Sequence, residues 1–317
     1  MRCGPGGWRG AIAALAVPFA LCAIAPATLT AATRPACFGA AALSAAKPCT
    51  NPKLKTMVMP TPNDALLEAN APCTPVEAPV SACSFGVAPG KATTNMALVG
   101  DSHAAHWRAG LRVAAQRFRW SVTALTMGSC PFTLGVSVAP EPKRTQCVDW
   151  NDGVLRWFRA HPEVSTMVIS SHPGYVVRAP GQSSMEAWVA GITAGWAALP
   201  ATVKHIIVIR DVPFIDPDTL PCVERAMAER KDAGRACALP VKRALHRDPG
   251  VVAARELRSP RVQVVDMTSS FCDARLCYPV VGGALVFFDE LAHLTRAFGT
   301  TLGPFLGDKI RQSMASW

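Results

Sequence analysis

The sequence contains no Cys-x-x-Cys element, and its cysteines and histidines do not cluster at the spacing of zinc ligands. Structural zinc sites need paired cysteines or mixed Cys/His sets, and thioredoxin-like redox sites need Cys-x-x-Cys. These absences argue against a zinc site and against an exported redox protein. We therefore expect neither a metal nor another cofactor.

An aromatic-interleaved basic stripe is also absent, although the net charge is +10. The basic residues are scattered through polar stretches such as residues 225–235. A solvated basic surface explains this pattern, and attraction to anionic lipid or acidic glycan is the alternative. Because nucleic-acid binding needs a clustered basic footprint, we expect no nucleic-acid partner.

Long apolar runs are absent except near the start of the chain. Arg2 and Arg9 precede an almost uninterrupted apolar run over residues 10–25, and small residues follow as far as Ala32. This order is typical of a secretory signal peptide, and the run is short for a membrane span of about 20 residues. We predict a signal peptide over residues 1–32, with an uncleaved N-terminal anchor as the alternative. The mature chain is then periplasmic or extracellular.

Ten of the twelve cysteines follow this segment, and an even number of cysteines in an exported chain predicts disulfides. Short loops cost least to close, so local pairing is the simplest arrangement. It would join Cys37 to Cys49, Cys73 to Cys83, Cys130 to Cys147, Cys222 to Cys237, and Cys272 to Cys277.

Beyond the signal, fixed repeats and long linkers are absent, which favours one main domain. Residues 33–92 are rich in Pro, Ala, Thr and Cys and predict an irregular, disulfide-tied extension packed on a domain over residues 93–317. In that domain, short apolar runs alternate with segments of helical period. The predicted strands are residues 95–99, 120–127, 165–170, 205–210 and 261–267, and the predicted helices are 103–118, 147–160, 185–199 and 295–314. This alternation predicts a three-layer α/β/α sandwich with a five-stranded parallel sheet, whose site lies at the carboxyl ends of the strands.

A candidate nucleophile, Ser102, follows the first of these strands in Gly100-Asp101-Ser102-His103. A serine at a sharp strand-to-helix turn projects its hydroxyl from the sheet, and the helix N-terminus faces a developing oxyanion. A simple helix cap formed by Asp101 or Ser102 is the alternative.

A candidate base, His293, lies near the C-terminus in a segment that contains Asp289 and Glu290. A nucleophilic serine needs a base within hydrogen-bond reach, and the base needs an acid that orients it. One short segment supplies both.

Together these features resemble the SGNH/GDSL hydrolase superfamily, and most closely the SGNH domain of acyltransferase-3 type polysaccharide O-acyltransferases. The resemblance covers residues 37–314. It rests on residues 97–107 (ALVGDSHAAHW), 128–132 (GSCPF), 147–150 (CVDW), 210–213 (RDVP), the Phe271-Cys272 pair with Cys277, and 293–295 (HLT).

The resemblance implies a sheet of flavodoxin-like strand order, Ser102 as nucleophile, His293 as base, and the backbone N–H groups of Ser102 and Gly128 as oxyanion donors. Two departures from the family pattern stand out. In the family, the acid lies three residues before the histidine, and this chain has Glu290 at that position. Asp289, four residues before His293, is the alternative, and we slightly prefer it. The family's Gly-x-Asn-Asp element is absent, and residues 170–174 read SSHPG instead.

In the place of the missing asparagine, Ser171 or His172 is a candidate oxyanion donor, and a hole with two donors is the alternative. Asp101, His103 and His172 are candidate residues lining the site, whereas His106 is interpreted as helix packing. Losing one donor costs on the order of 10²–10³ in rate.

These features predict an extracytoplasmic serine esterase or O-acyltransferase that acts on an acylated cell-envelope glycan or a small ester. A transferase would need a membrane-embedded acyltransferase-3 partner to supply the acyl group. The alternative is a catalytically weak or inactive glycan-binding domain that assists such a membrane acyltransferase.

Overall fold

Short apolar runs form the central sheet in a computed structural model that describes residues 35–44 and 49–316. The predicted signal peptide over residues 1–32 lies outside the described residues. Within the described part of the chain, no helix is both long enough and apolar enough to cross a membrane. The seven strands are β1 (Thr74–Pro75), β2 (Ala82–Gly86), β3 (Thr94–Gly100), β4 (Trp120–Thr126), β5 (Thr166–Ser170), β6 (His205–Ile209) and β7 (Val262–Val265).

The strand order is β1-β2-β4-β3-β5-β6-β7. Strands β3 to β7 are mutually parallel, as the alternation of strands and helices predicts, and their order is that of flavodoxin-like sheets. The register places Gly100, the last residue of β3, opposite Thr126 on β4 and Ser170 on β5. The residues that follow these three strands therefore lie at one edge of the sheet.

Two antiparallel strands extend the sheet beyond the five that the sequence predicts. β2 pairs with β4, and β1 pairs with β2. Both come from residues 33–92, where we expected irregular structure. Phe85 is the only fully buried side chain of β2, so its apolar pattern is too weak to predict a strand.

Helices cover both faces of the sheet. They are α1 (Pro62–Leu66), α2 (Ser102–His106), α3 (Arg108–Phe118), α4 (Lys143–Ala160), α5 (Ser184–Ala198), α6 (Thr219–Ala228), α7 (Ala233–Ala236), α8 (Val241–Ala244), α9 (Pro249–Leu257) and α10 (Arg296–Met314). Met96 and Leu98 of β3 belong to the core beneath α3 and α10, whereas Ala97 and Val99 face the core beneath α4, α5 and α9. This alternation confirms the three-layer sandwich.

α10 packs closely along α3. A Cβ atom at Gly303 would lie 2.4 Å from Cβ of Val113, so the two helix backbones approach more closely than a larger residue would allow. α10 continues through Pro304, whose missing N–H leaves one helical hydrogen bond unmade. The C-terminal helix is thereby held against the helix that follows the candidate nucleophile.

The helix predicted over residues 103–118 is two helices separated by Trp107. The Trp107 amide donates to the carbonyl of Ala104, a contact of 3₁₀ type, and α3 begins at the next residue. The indole is buried, and its Nε1 donates to Oγ of Ser170 at 3.3 Å. The break thus fixes α2 to the end of β5.

Minor elements complete the described chain. Two-residue antiparallel ladders join Val136–Ser137 to Val177–Arg178, Leu239–Pro240 to Leu276–Cys277, and Val280–Val281 to Ala284–Leu285. Short 3₁₀ helices lie at Gly39–Leu43, Pro52–Leu54, Pro89–Lys91 and Thr268–Ser270.

The described chain contains five disulfides. They join Cys37 to Cys49, Cys73 to Cys83, Cys130 to Cys147, Cys222 to Cys237, and Cys272 to Cys277, which is the local pairing that the sequence predicts. Each closes a short loop and constrains the unfolded chain.

Candidate active site

The turn between β3 and α2 depends on Gly100. This residue has φ +141°, and a Cβ atom there would lie 2.1 Å from the carbonyl oxygen of Ser170. Only glycine accepts that conformation and that approach without strain. Ser102 is therefore the first residue of a helix that starts directly at the carboxyl edge of the sheet.

Asp101 acts as a structural cap. Its side chain is fully buried, and its two oxygens accept the amides of His103 at 2.7 Å and His172 at 2.9 Å. Burial raises the pKa of Asp101 to about 6, although the nearby His103 and these two hydrogen bonds oppose the shift. Asp101 thus caps α2, as one of the two interpretations of this motif predicted, and ties it to the segment after β5.

Ser102 and His293 line one pocket of ≈ 310 Å³. α2 contributes Ala105 and His106 to its wall, and the C-terminal loop contributes Phe288, Asp289 and Leu294. Arg296 at the start of α10, with Glu68 and Asn70 from the N-terminal extension, completes the lining. The two predicted chemical groups therefore share a solvent-accessible space, although they are 191 residues apart.

His293 is held from behind by Asp289. Its Nδ1 lies 2.6 Å from Oδ2 of Asp289, and its amide donates to Oδ1 of the same carboxylate at 3.1 Å. Nε2 of His293 is buried and makes no hydrogen bond to any described residue, so it is not bonded to Ser102. Catalytic contacts of this kind are often loose without substrate. The imidazole has one nitrogen fixed and the other open to exchange a proton.

Of the two candidate acids, the structure places Asp289 against His293. Burial acts to raise the pKa of Asp289, but the hydrogen bonds from the His293 ring and amide outweigh it and lower that pKa below its ordinary value. Ala292 adopts φ +62°, which turns the chain so that the carboxylate four residues before the imidazole reaches it. Glu290 is exposed to solvent. Asp289 is therefore the carboxylate that contacts His293.

His103 does not line the pocket but lies behind it. The residue is 1% exposed, and Nδ1 of its ring lies 2.9 and 3.0 Å from the two carboxylate oxygens of Asp211. Burial raises the pKa of Asp211 well above its usual range and lowers the pKa of His103 to about 4. The result is a second carboxylate–imidazole pair beside the first one.

His106, interpreted from the sequence as packing, lines the pocket instead. Its Nδ1 accepts the amide of Leu294 at 3.5 Å, and burial lowers its pKa well below the ordinary value. The contact joins α2 to the loop that carries His293.

His172 lies at the end of β5, with its ring centroid 4.6 Å from that of His103. Its Nδ1 accepts the amide of Gly174 at 3.2 Å, which places the ring hydrogen of neutral His172 on Nε2. Burial lowers the pKa of His172 to about 4, with further lowering from neighbouring histidines. At neutral pH this side chain is an uncharged Nε2–H donor.

Gly128 lies in the exposed turn after β4. The Met127 amide donates to the carbonyl of Gly100, so this turn begins beside the candidate nucleophile. Within the described chain, neither the Gly128 amide nor the Ser129 amide donates to a backbone carbonyl. The turn therefore offers free N–H groups next to β3.

Ser171 is placed elsewhere. It lines a different pocket, together with Trp188 and Trp196 on α5. The residue after Ser171, His172, donates its backbone amide to the Asp101 carboxylate. The structure therefore does not place Ser171 in the pocket that Ser102 and His293 line.

Three polar residues that contribute to this region were not identified from the sequence. Asp211 contacts Nδ1 of His103 at 2.9 Å, Asp248 accepts the Asp211 amide at 2.8 Å, and Tyr175 is hydrogen-bonded to Asp101 and Ser129. Burial and the contact with Asp101 raise the pKa of Tyr175. Asp211 belongs to the RDVP segment, the one available signal, whereas neither Asp248 nor Tyr175 belongs to a recognisable motif.

His103, His106 and Asp211 form a buried group that could offer ligands to a metal, and the nearest ligand atoms lie within 4.8 Å of one another. Ligands of one tetrahedral zinc ion lie about 2.0–2.2 Å from the metal and hence closer together than this. Asp211 is also engaged by Nδ1 of His103, and Nδ1 of His106 by an amide. The group fits a hydrogen-bonded cluster better than a metal centre.

Comparison with known proteins supports the same architecture. The periplasmic domain of a lipopolysaccharide acetyltransferase from Salmonella ser. Paratyphi A has a similar structure, with a TM-score of 0.52 at 15% sequence identity, over 71% of this chain and 85% of that one. At this identity the likeness concerns the fold. No curated protein sequence matches the chain. The family model described as the SGNH domain fused to AT3 domains matches residues 69–307, and the chain therefore belongs to this SGNH family.

Proposed function

We propose that the chain transfers acyl groups through Ser102, with His293 as general base and Asp289 as the acid that orients it. One observation carries the proposal. His293 has Nδ1 bound by a carboxylate and a buried, unpartnered Nε2, in the pocket that Ser102 also lines. A carboxylate-held imidazole with a free ring nitrogen, in the pocket of a serine, supports nucleophilic catalysis in which the hydrogen bond from Ser102 to Nε2 forms as substrate binds.

In the first half-reaction, His293 Nε2 takes the Ser102 hydroxyl proton as Oγ attacks an ester carbonyl. The tetrahedral intermediate collapses, the bond to the alcohol breaks, and His293 returns the proton to the departing oxygen. In the second half-reaction, His293 takes a proton from a sugar hydroxyl or from water, which attacks acyl-Ser102. Collapse then regenerates Ser102 as it regains a proton from His293.

The oxyanion would be bound by the backbone N–H groups of Ser102 and Gly128. We assign the third donor, which the family supplies from an asparagine, to the Nε2–H of His172. The contact of Gly174 with Nδ1 sets the required tautomer, and the low pKa keeps the ring neutral at pH 7. A neutral donor is suited to this task because it does not surrender its proton to the substrate.

The substrate class that we propose is an acylated cell-envelope glycan or a related ester outside the cytoplasm. Five disulfides favour an oxidising compartment. Family members are fused to AT3 domains, and one structural relative is a periplasmic domain of a lipopolysaccharide acetyltransferase. A membrane-embedded acyltransferase-3 protein is the partner that would supply the acyl group for transfer rather than hydrolysis.

A fluorophosphonate probe tests the proposal, because it labels only activated serines. The full chain should be labelled, and the Ser102→Ala variant should not. Ser184→Ala is the matched control, because Ser184 is likewise the first residue of a helix and does not line the pocket. No labelling of the wild-type chain and no turnover of p-nitrophenyl acetate would support the binding-domain alternative instead.

A further inference from the structure

His103 is an imidazole in contact with the proposed base that the reaction above does not use. Its ring centroid lies 4.8 Å from those of His293 and His106, and 4.6 Å from that of His172. The side chain is buried, so substrate does not reach it directly. A polar side chain in this position acts through its neighbours.

The ring is anchored from the opposite side of the site. Asp211 follows β6, and both of its oxygens contact Nδ1 of His103. The Asp211 amide in turn donates to Oδ2 of Asp248, whose Oδ1 accepts the Val251 amide at the start of α9. This chain of contacts joins His103 to the framework of the sheet, independently of the C-terminal loop.

The protonation of the pair determines what the other ring nitrogen can do. Burial favours a proton on Asp211, whose pKa is well above its ordinary value. With Asp211 protonated, its hydrogen is donated to Nδ1, and neutral His103 then carries its own hydrogen on Nε2. Burial lowers the pKa of His103, and hydrogen bonding to the backbone carbonyl of Leu291 opposes this lowering. The carbonyl therefore lies near the ring. Leu291 belongs to the loop between Asp289 and His293.

We infer that His103, held by Asp211, is a positioning residue that fixes the Asp289–His293 loop. Its ring packs against His293, and its Nε2–H is directed to the carbonyl of Leu291. Nε2 makes no hydrogen bond of normal geometry to a described residue, so we expect this contact to tighten when substrate occupies the pocket. The inference depends on the proposed function in taking His293 as the base.

Amide hydrogen exchange of the full chain tests this role without requiring activity. In the loop, the amides of Leu291 and His293 both donate to Oδ1 of Asp289, so they report its order. His103→Leu should speed their exchange by about tenfold, whereas His103→Gln, which retains an N–H donor, should change it by less than about threefold. His161→Gln is the control, because His161 lies at the C-terminal end of α4 and its Nδ1 contacts the carbonyl of Trp157 on the same helix. Unchanged exchange in His103→Leu would overturn the inference.

Kinetics separates positioning from packing. His103→Leu should lower kcat by about 10–100-fold with KM within about twofold, and His103→Gln should restore most of the loss. Equal activity of the Leu and Gln variants would contradict a hydrogen-bonding role. If the wild-type chain is neither labelled nor active, the proposed function fails, whereas labelling of Ser102 with unchanged loop exchange refutes only the role of His103.

A measurement on the wild-type protein covers the case in which the variants do not fold. The imidazole ¹⁵N resonances of His103 should show a protonated Nε2 at neutral pH. A proton on Nδ1 alone, with Nε2 unprotonated, would contradict the proposed contact with Leu291.

Discussion

Oδ2 of Asp289 lies 2.6 Å from Nδ1 of His293, across a turn of four residues. Both backbone amides that Oδ1 accepts, those of Leu291 and His293, come from the same turn. Asp289 and His293 therefore form one local unit, which the C-terminal segment contributes to the pocket that Ser102 also lines. Because the turn between them is short, Asp289 reaches His293 although it lies four residues before the histidine and not three, as the acid does in the family.

Asp289→Asn should lower kcat by about 10³–10⁴-fold, because an amide in this place favours the wrong tautomer of His293. Glu290→Gln should leave kcat within about twofold, since Glu290 is exposed. Hydrolysis of p-nitrophenyl acetate measures both. The reverse ranking of the two variants would assign the acid to Glu290.

His172→Leu should lower kcat by about 10²-fold, the usual cost of removing one oxyanion donor. Ser171→Ala should have an effect of less than about twofold, because Ser171 faces a different pocket. Steady-state kinetics of the same ester distinguishes them. Full activity of His172→Leu would contradict a donor role for His172 and would leave an oxyanion hole with two donors, the amides of Ser102 and Gly128.

The disulfide between Cys130 and Cys147 should matter for activity as well as stability, because it fixes the turn that contains Gly128. It spans 17 residues, and the Cys222–Cys237 disulfide spans 15, so alanine replacement of either pair should cost a similar ~3 kcal/mol of unfolding free energy. Only the first replacement should reduce kcat. Urea unfolding and ester hydrolysis give the two readouts, and equal losses of kcat would refute the distinction.

Asp248 should make stability fall as pH rises. Burial raises the pKa of Asp248 to about 6, so between its unfolded value of 3.8 and 6 the folded state binds more protons than the unfolded state. Its contribution is complete below this window and is lost above it. His103 and His172, with pKa values of about 4, act in the opposite direction over the same range.

Comparison with Asp248→Asn cancels those histidine contributions. The unfolding free energy of the wild-type protein minus that of Asp248→Asn should decrease by about 2–3 kcal/mol from pH 4 to pH 7. Urea unfolding with the disulfides intact measures it. A difference that does not vary with pH would show that Asp248 titrates normally.

The parallel sheet could be predicted because its strands are apolar on both faces and bounded by turn residues, as in β3 and β6. The antiparallel strand β2 could not, because it buries only Phe85 completely. The interruption at Trp107 was equally hidden, since it depends on a contact between the indole and Ser170. Tertiary contacts override helical periodicity there.

Local motifs pointed to Ser102, His293 and two candidate acids, and the structure brings Ser102, His293 and Asp289 to one pocket. Sequence spacing alone did not decide between Asp289 and Glu290, because the left-handed turn at Ala292 sets which carboxylate reaches the ring. The pairing of His103 with Asp211 joins residues 108 positions apart and has no local signature. Such long-range polar pairs become visible only when the sheet brings the strand ends together.

The most direct measurement of the central claim is the mass of the peptide that contains Ser102 after brief reaction with p-nitrophenyl acetate and acid quenching. We predict one acetyl group on Ser102 in the wild-type chain, and none in His293→Ala under the same conditions. Consumption of the ester with Ser102 unmodified, or acetylation of another residue in its place, would contradict the account.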